Sequence, residues 1–373
     1  MEKKNKKFKK VLTSVLAVVL AFAMLIGGGT YAYLQSSTDD VKNSFKTNNV
    51  EVKLAETTGD KYDIVPGTEQ AKDPKVTVKN TVDAYVYVEV KDNTQGLITY
   101  AIADGWTKLD GYDNIYYREV AKDADVKEFS VLAGDKVSYS KDLTNEDMKD
   151  KTDVSLTFNA KAMQKDGFAD AVSAYNGIPV PVSTGAELKN ALGSVKEGQT
   201  IKLENDAFLV TSGTHPDGTV ASFITTPNVT IDLNGFTLKS YTSGNSKSFG
   251  LAANGLTLKN GTIELLASNR DYLLYVTAGA KDVVIEDVKI IGGMQVIGNS
   301  SATLRNVDIQ ANNYYDVYLE YKSTVTIESG SFKRSGDKAH LYTATPTDTI
   351  IVKGGDFDGS ATPVYAGNGT VKL

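Results

Sequence analysis

The chain has 373 residues, no cysteine and a formal net charge of −6. This length predicts two or three domains, and 41% apolar with 23% charged residues is typical of a globular chain rather than a disordered or membrane-embedded one. The lack of cysteine excludes a disulfide scaffold. The acidic balance argues against nucleic acid as a partner, because binding a phosphate backbone depends on basic side chains that release its counterions.

Residues 1–32 have the features of an export signal. Six lysines lie within the first ten residues, an apolar run follows at 11–26, and three glycines end it. A helix of that length spans about 24 Å, less than the roughly 30 Å hydrocarbon core of a membrane. We therefore predict a signal peptide cut between Ala32 and Tyr33, with an uncleaved anchor as the alternative. After cleavage the net charge is −11, and no further membrane contact is expected.

Residues 33–175 read as short strands. Apolar and polar residues alternate at 50–54, 76–78 and 84–90, with the period of two that half-buried strands require. Turn-forming residues lie between these segments, which predicts an antiparallel sandwich. Residues 163–175 are predicted to form a short closing helix.

Several separated motifs in this region carry a family resemblance. They include Gly-Gly-Gly-Thr-Tyr-Ala-Tyr-Leu at 27–34, Asn-Ser-Phe-Lys-Thr-Asn-Asn-Val-Glu-Val-Lys-Leu at 43–54, Val-Asp-Ala-Tyr-Val at 82–86 and Ala-Met-Gln-Lys-Asp-Gly-Phe at 162–168. In this order they resemble the TasA/camelysin family over residues 20–175. The resemblance implies a jelly-roll domain that is exported through a dedicated signal peptidase.

The resemblance also implies a mode of assembly. Fibre-forming members of that family donate the freed N-terminal segment as a strand to the next subunit, which is a form of edge-strand pairing. In this chain the donor would run from Tyr33 to about Val52. The alternative is that the same segment pairs within its own domain.

Metal chemistry is not predicted. Some members of the family are described as metallopeptidases, but this chain has no His-Glu-x-x-His motif, and its only histidines are His215 and His340. We expect no catalytic residue, no metal and no cofactor.

A repeat follows a linker predicted at 176–183. Six segments align without gaps, with Leu or a β-branched residue at the first position and Leu, Ile or Phe at the sixth. They are 233–238 (Leu-Asn-Gly-Phe-Thr-Leu), 258–263 (Leu-Lys-Asn-Gly-Thr-Ile), 285–290 (Ile-Glu-Asp-Val-Lys-Ile), 304–309 (Leu-Arg-Asn-Val-Asp-Ile), 327–332 (Ile-Glu-Ser-Gly-Ser-Phe) and 352–357 (Val-Lys-Gly-Gly-Asp-Phe).

The spacing within a segment predicts the architecture. Residues five apart point to opposite faces of a straight strand, so the first and sixth positions share one core only if the chain turns between them. The third position is always Gly, Asn, Asp or Ser, the residue types that favour such turns. A strand, a corner and a second strand in each repeat predict a right-handed parallel β-helix over residues 184–373.

Two further features agree with that prediction. The second position alternates in charge along five successive segments, as an outward ladder of neutralising pairs would: Lys259, Glu286, Arg305, Glu328, Lys353. Thr184 and Glu187 fit the capping box of a helix at 184–192, which we expect to cover the open end of the β-helix. The predicted fold class is therefore all-β, an antiparallel jelly roll or sandwich followed by a parallel β-helix.

The β-helix resembles the fold of pectate lyases and polygalacturonases, which is shared by inert surface proteins. The outward fifth-position carboxylates, Asp308 and Asp356, are expected about 10 Å apart with a serine between them, which suits neither kind of glycosidase pair. Tyrosine-rich loops at 270–272 and 312–316 are predicted to be solvated turns, with a stacking surface for a glycan as the alternative.

The leading functional hypothesis is a non-enzymatic structural or adhesive protein, secreted to the cell surface or extracellular matrix of a Gram-positive-type bacterium. It would self-associate by strand donation and display the β-helix, with a wall or matrix polysaccharide as a further partner. The alternatives are a polysaccharide-active enzyme and a glycan-binding module without catalysis.

Overall fold

The computed structural model describes residues 49–59, 61–212, 219–220, 223–242, 249–265, 272–311, 315–334, 338–358 and 364–373. The predicted signal peptide, its cleavage site at Ala32 and Tyr33, and His215 lie outside the described residues. Within these ranges no helix is long and apolar enough to cross a membrane. The all-β fold class is confirmed, with antiparallel sheets followed by a parallel β-solenoid.

The described part of the antiparallel domain contains ten strands in three sheets, ordered β1-β3-β8, β10-β4-β7-β6 and β2-β9-β5. The strands are β1 Val50–Ala55, β2 Glu69–Ala71, β3 Lys75–Asn80, β4 Ala84–Asn93, β5 Ile98–Thr99, β6 Thr107–Lys108, β7 Ile115–Val120, β8 Glu128–Ser130, β9 Lys136–Tyr139 and β10 Ser155–Gln164. A 3-10 turn at Ala133–Asp135 and the short helices α1 Asn145–Met148 and α2 Ala171–Asn176 complete it.

Strand β4 is the centre of this domain because both of its faces are covered. Val86 and Val88 pack against Val78 of β3, which joins two sheets face to face. On the opposite face Tyr87 packs edge-on against Tyr175 of α2, with 5.0 Å between ring centroids.

The closing helix is shorter than the predicted 163–175. Met163 continues the ladder of β10 opposite Tyr85, and the strand extends to Gln164. Gly167, at φ 95°, then turns the chain, so the helix begins only at Ala171.

The solenoid places strands in three parallel rows. The first row is β11-β12-β16-β19-β21-β23-β26-β29-β32, the second joins β13, β17, β19, β21, β24, β27 and β30, and the third is β15-β18-β20-β22-β25-β28-β31. The early strands are β11 Val180–Val182, β12 Thr200–Leu203, β13 Ala207–Ser212, β14 Thr219–Val220, β15 Phe223–Ile224, β16 Thr230–Asp232, β17 Thr237–Thr242, β18 Phe249–Leu251, β19 Thr257–Leu265, β20 Tyr272–Val276, β21 Val283–Ile291 and β22 Gly293–Ile297. The later ones are β23 Ser301–Arg305, β24 Val307–Ala311, β25 Val317–Glu320, β26 Thr324–Ile327, β27 Gly330–Arg334, β28 Leu341–Thr343, β29 Thr349–Val352, β30 Asp356–Phe357, β31 Tyr365–Gly367 and β32 Thr370–Lys372.

The predicted corner is present within each repeat. Leu258 and Ile263 are both fully buried in the same core, although five residues separate them. Asn260 between them has a φ of 60°, in the left-handed region. Asp287 and Asn306 adopt the same conformation at the equivalent positions, with φ of 55° and 48°.

The first of the six aligned segments is offset from the alignment. Ile231, rather than Leu233, pairs with Leu258, while Leu238 pairs with Ile263 as predicted. The corner of this coil is therefore two residues longer than the next, with both Asn234 and Gly235 at positive φ.

The charge ladder is confirmed and extends further than predicted. Arg305 bridges Glu286 and Glu328 at 3.7 and 2.7 Å, and Lys353 lies 3.3 Å from Glu328. Hydrogen bonds from Arg305 and then Lys353 lower the pKa of the Glu328 carboxyl, so it is ionised at neutral pH. Because of the offset corner, Lys202 and Asp232 continue the alternation in register with Lys259.

Helix α3, Gly185–Ser194, closes the N-terminal end of the solenoid. Leu188 and Leu192 lie in the solenoid core, as expected for a capping helix. The Thr184 hydroxyl accepts a hydrogen bond from the Glu187 amide, while the Glu187 carboxylate accepts from Ser183 rather than completing a capping box. Strand β11, within the segment predicted as a linker, pairs in parallel with β12.

The close packing of α3 against β13 leads to a prediction about stability. A Cβ at Gly185 would lie 2.0 Å from the backbone carbonyl oxygen of Phe208, whereas a Cβ at Gly193 would contact nothing within 4 Å. Gly185→Ala should displace the helix from the solenoid and lower the free energy of unfolding by about 1–3 kcal/mol. Gly193→Ala, the matched control, should be neutral or stabilising by up to about 1 kcal/mol. Thermal unfolding followed by circular dichroism measures both, and equal effects would contradict this packing.

The corner at Asn260 gives a second prediction. Its side-chain amide donates to Asp232 at 3.1 Å, and its backbone is left-handed. Asn260→Ala should destabilise the solenoid by about 1–2 kcal/mol, because it loses both the hydrogen bond and the tolerance for positive φ. Asn260→Gly keeps the tolerance for positive φ, so its loss of stability should be less than half as large. Hydrogen exchange of the β19 amides measures both losses. A larger loss from glycine would argue against the corner.

Candidate functional site

An apolar groove opens in the antiparallel domain between two sheet edges. Strand β1 pairs with β3, and β10 pairs with β4, so each ends its own sheet among the described residues. The space between them encloses about 560 Å³. Its apolar lining includes Leu54, Ile64, Ile98, Val137, Leu156 and Phe158.

The side chains facing the groove are only partly covered. Strand β10 alternates between exposed and half-buried residues, and Leu156 and Phe158 are among the half-buried ones. Leu54 of β1 shows the same partial burial. In a closed sandwich such core-facing residues are fully covered, as Val88 is in the neighbouring strand β4. The floor of the groove is thus only partly covered by the described residues.

One charged pair lies in the groove, and it is internally neutralised. The Lys72 ammonium lies 2.9 Å from the Glu56 carboxylate and 4.9 Å from the centroid of the Tyr62 ring. Burial raises the pKa of the Tyr139 phenol above its ordinary value, which keeps that group uncharged. The groove therefore offers an almost neutral, mainly apolar surface.

Only the C-terminal end of the predicted donor segment, from Val50 to Val52, lies within the described residues as a strand. Val50 and Val52 pair with Asn80 and Val78 of the same domain, so this end of the segment follows the intramolecular alternative. Residues 33–48 lie outside the described residues. Strand donation would therefore have to use the part of the segment that precedes β1.

The solenoid brings the other predicted positions into the expected columns. Asp308 pairs with Ser331, and Ser331 with Asp356, so the two carboxylates are two coils apart. Asp308 also accepts hydrogen bonds from Gln310 at 3.2 and 3.4 Å. Among the described residues, no group of three or more His, Asp or Glu side chains could hold a metal ion.

The tyrosine-rich loop is partly described. Tyr315 stacks on Tyr342 with 4.3 Å between centroids, and Tyr342 stacks on Tyr318 at 5.3 Å. The faces of these rings are stacked against one another, which favours a role in packing. His340, the other predicted histidine, is fully buried.

The groove was missed by the sequence reading. Apolar and polar residues alternate at 155–160, which indicates a strand with one apolar face, but the alternation does not show that this face is only half covered. Tyr62 and Lys72 lie in irregular or edge segments and carry no periodic signal.

With this geometry established, the class of protein is a two-part all-β chain, an antiparallel domain with an open apolar groove followed by a capped parallel solenoid. No protein-family model, no curated protein and no solved structure matches the chain. The resemblance to the TasA/camelysin family therefore rests on the separated motifs alone.

The partial burial of the groove predicts an unusual mutational pattern. Leu132 is fully buried and Leu156 half-buried beside the same apolar cluster. Leu132→Ala should cost about 2–5 kcal/mol, whereas Leu156→Ala in the monomer should cost about 1 kcal/mol. Trp106 is the only tryptophan and lies in this domain, so its fluorescence during urea unfolding reports both values. Equal costs would mean that the groove is closed in solution.

Proposed function

We propose that this protein is a secreted, non-enzymatic structural or adhesive protein of a bacterial cell surface or extracellular matrix. Copies assemble when the N-terminal segment of one chain adds as a strand to the groove of the next. The observation that carries the proposal is the half-covered apolar floor between the β1 and β10 edges. Such a groove has both main-chain hydrogen-bonding groups at its rims and apolar surface to bury.

The sequence before β1 suits the role of the added strand. Val41, Asn43 and Phe45 alternate with Lys42, Ser44 and Lys46. In extended backbone the first set faces one side and the second the other. Val41 and Phe45 would cover the groove floor, while the lysines would remain in water.

The family resemblance supports the same reading. In the TasA/camelysin family the segment freed by the signal peptidase is the donor strand of the fibre-forming members, within a jelly-roll domain. The predicted cleavage between Ala32 and Tyr33 would free residues 33–48 here. An uncleaved precursor would hold that segment at the membrane, so export and assembly would be coupled.

The solenoid would act as the displayed part of each subunit. Its N-terminal end is closed by α3, which suppresses stacking through that end. Its outward charge ladder is neutralised within the chain. A rigid module of this kind would project from an assembly without adding to it.

Electron microscopy and sizing chromatography of the processed protein test the proposal. We expect filaments or high-mass species, and deletion of residues 33–45 should abolish them. Leu156→Asp places a charge on the groove floor and should prevent assembly while Trp106 fluorescence remains native. Asn159→Asp adds the same charge at an exposed position of β10 and should assemble normally. Identical monomers from the processed and the N-terminally extended protein would refute strand donation.

Cross-linking places the donor directly. The chain has no cysteine, so introduced cysteines report unambiguously. Ser44→Cys and Thr157→Cys, combined in one chain, should form disulfides between copies under mild oxidation. A disulfide confined to single chains would instead show that the segment covers its own groove.

A further inference from the structure

The described residues contain one buried histidine, and both of its ring nitrogens have partners. The His340 side chain is 1% exposed, and that of Asp316 is fully buried. His340 Nδ1 lies 2.5 Å from Asp316 Oδ2, and His340 Nε2 lies 2.9 Å from the backbone carbonyl oxygen of Asp358. The other Asp316 oxygen, Oδ1, accepts a hydrogen bond from the Ala311 amide at 3.1 Å.

These contacts fix the number of protons that the pair holds. A carbonyl oxygen only accepts hydrogen bonds, so Nε2 must carry a hydrogen. Nδ1 and Oδ2 both present lone pairs when deprotonated, and they approach to 2.5 Å only with a proton between them. The folded pair therefore holds two protons and has no net charge, whichever atom the shared proton is assigned to.

The three groups belong to successive coils. Asp316 directly precedes β25, His340 directly precedes β28, and Asp358 directly follows β30. Strands β25 and β28 are paired, so the side-chain contact reinforces a backbone ladder. The Phe357 ring lies edge-on to the imidazole at 5.7 Å, which adds an apolar wall to this corner.

We propose that Asp316, His340 and the Asp358 carbonyl form a proton clasp that ties three coils together and loosens as the pH rises above neutrality. The proposal is independent of strand donation, because it concerns the solenoid alone. It gives the displayed module a built-in response to the pH of its surroundings.

The direction of the pH effect follows from the proton count. In the unfolded chain a histidine loses its second proton at a pH of about 6.5, while an aspartate is already ionised. Above that pH the unfolded pair holds one proton and the folded pair two, so folding takes up a proton. The folding equilibrium constant of these coils then falls by up to about tenfold for each pH unit. Between about pH 4 and 6.5 the two states hold equal numbers, and this contribution is flat.

Three charged residues near the clasp have side chains that the structure describes, and all three are in water. Lys338 lies two residues before His340, and Asp356 lies on β30; both are exposed. Asp358 contributes its carbonyl oxygen, and its side chain is exposed. These three side chains are solvated, whereas Asp316 and His340 are buried, so we assign the coupling between protonation and folding to the buried pair.

Proton NMR of the mature chain tests the protonation state directly. His215→Gln leaves His340 as the only imidazole, since the chain has two histidines. We expect its ring signals to show no titration between pH 5.5 and 8.5, with a hydrogen-bonded ring proton that persists at pH 8. Ordinary titration near pH 6.5 in the folded protein would overturn the proposal.

Hydrogen exchange with matched variants tests the coupling. After correction for intrinsic exchange rates, protection of the β25 and β28 amides should fall by up to about 30-fold between pH 7 and 8.5. In Asp316→Asn the side-chain amide group donates to His340 Nδ1, and its oxygen still accepts from the Ala311 amide. Both hydrogen bonds therefore persist without the extra proton. The change in protection between pH 7 and 8.5 should then be under about threefold. Asp356→Asn removes an equal charge at an exposed site and should keep the full change. The same pH dependence in Asp316→Asn as in the unaltered chain would refute the clasp.

Discussion

The solenoid depends on a turn with positive φ between the first and second rows of its coils. Asn260, Asp287 and Asn306 bend the chain so that residues five apart, such as Leu258 and Ile263, fill one interior. Without that bend the sixth-position side chains would face water and the second row would have no core. The cost of positive φ is small for Asn and Asp, whose side chains also bond the neighbouring coil, as Asn306 does with Asp287 at 2.7 Å.

The solenoid and the antiparallel domain differ in how their sheet edges are covered. At the N-terminal end of the solenoid, α3 covers the first coil and buries Leu188 and Leu192. In the antiparallel domain, β1 and β10 border a groove whose floor is only half covered. An open sheet edge above apolar surface favours pairing with an added strand. This contrast is the physical reason why we propose assembly through one part and display of the other.

Polar residues within the solenoid have a consistent structural use. The Asp348 carboxylate is buried and accepts from the Ser323 and Thr345 amides at 3.1 and 2.7 Å, joining neighbouring coils without a counter-charge. The Asp316–His340 pair joins coils too, but it does so with a titratable partner. The outward ladder through Arg305 and Glu328 sets register in solvent, where each pair adds little stability. The buried Asp316–His340 contact is therefore the one to which we assign a loss of stability above neutral pH.

Local pattern determined most of the solenoid. Apolar periodicity, turn-forming third positions and alternating charge are properties of each repeat, and they predicted the shared core, the corner, the ladder and the capping helix. The pattern failed where one corner is two residues longer, because Leu233 is as apolar as Ile231 and only strand pairing distinguishes them. The half-covered state of Leu156 and Phe158 depends on which strands lie beside them among the described residues, which no local signal encodes. The Asp316–His340 contact joins residues 24 apart outside the repeated positions. Tertiary structure alone decided these features, because each depends on what neighbouring coils or strands place, or fail to place, against a side chain.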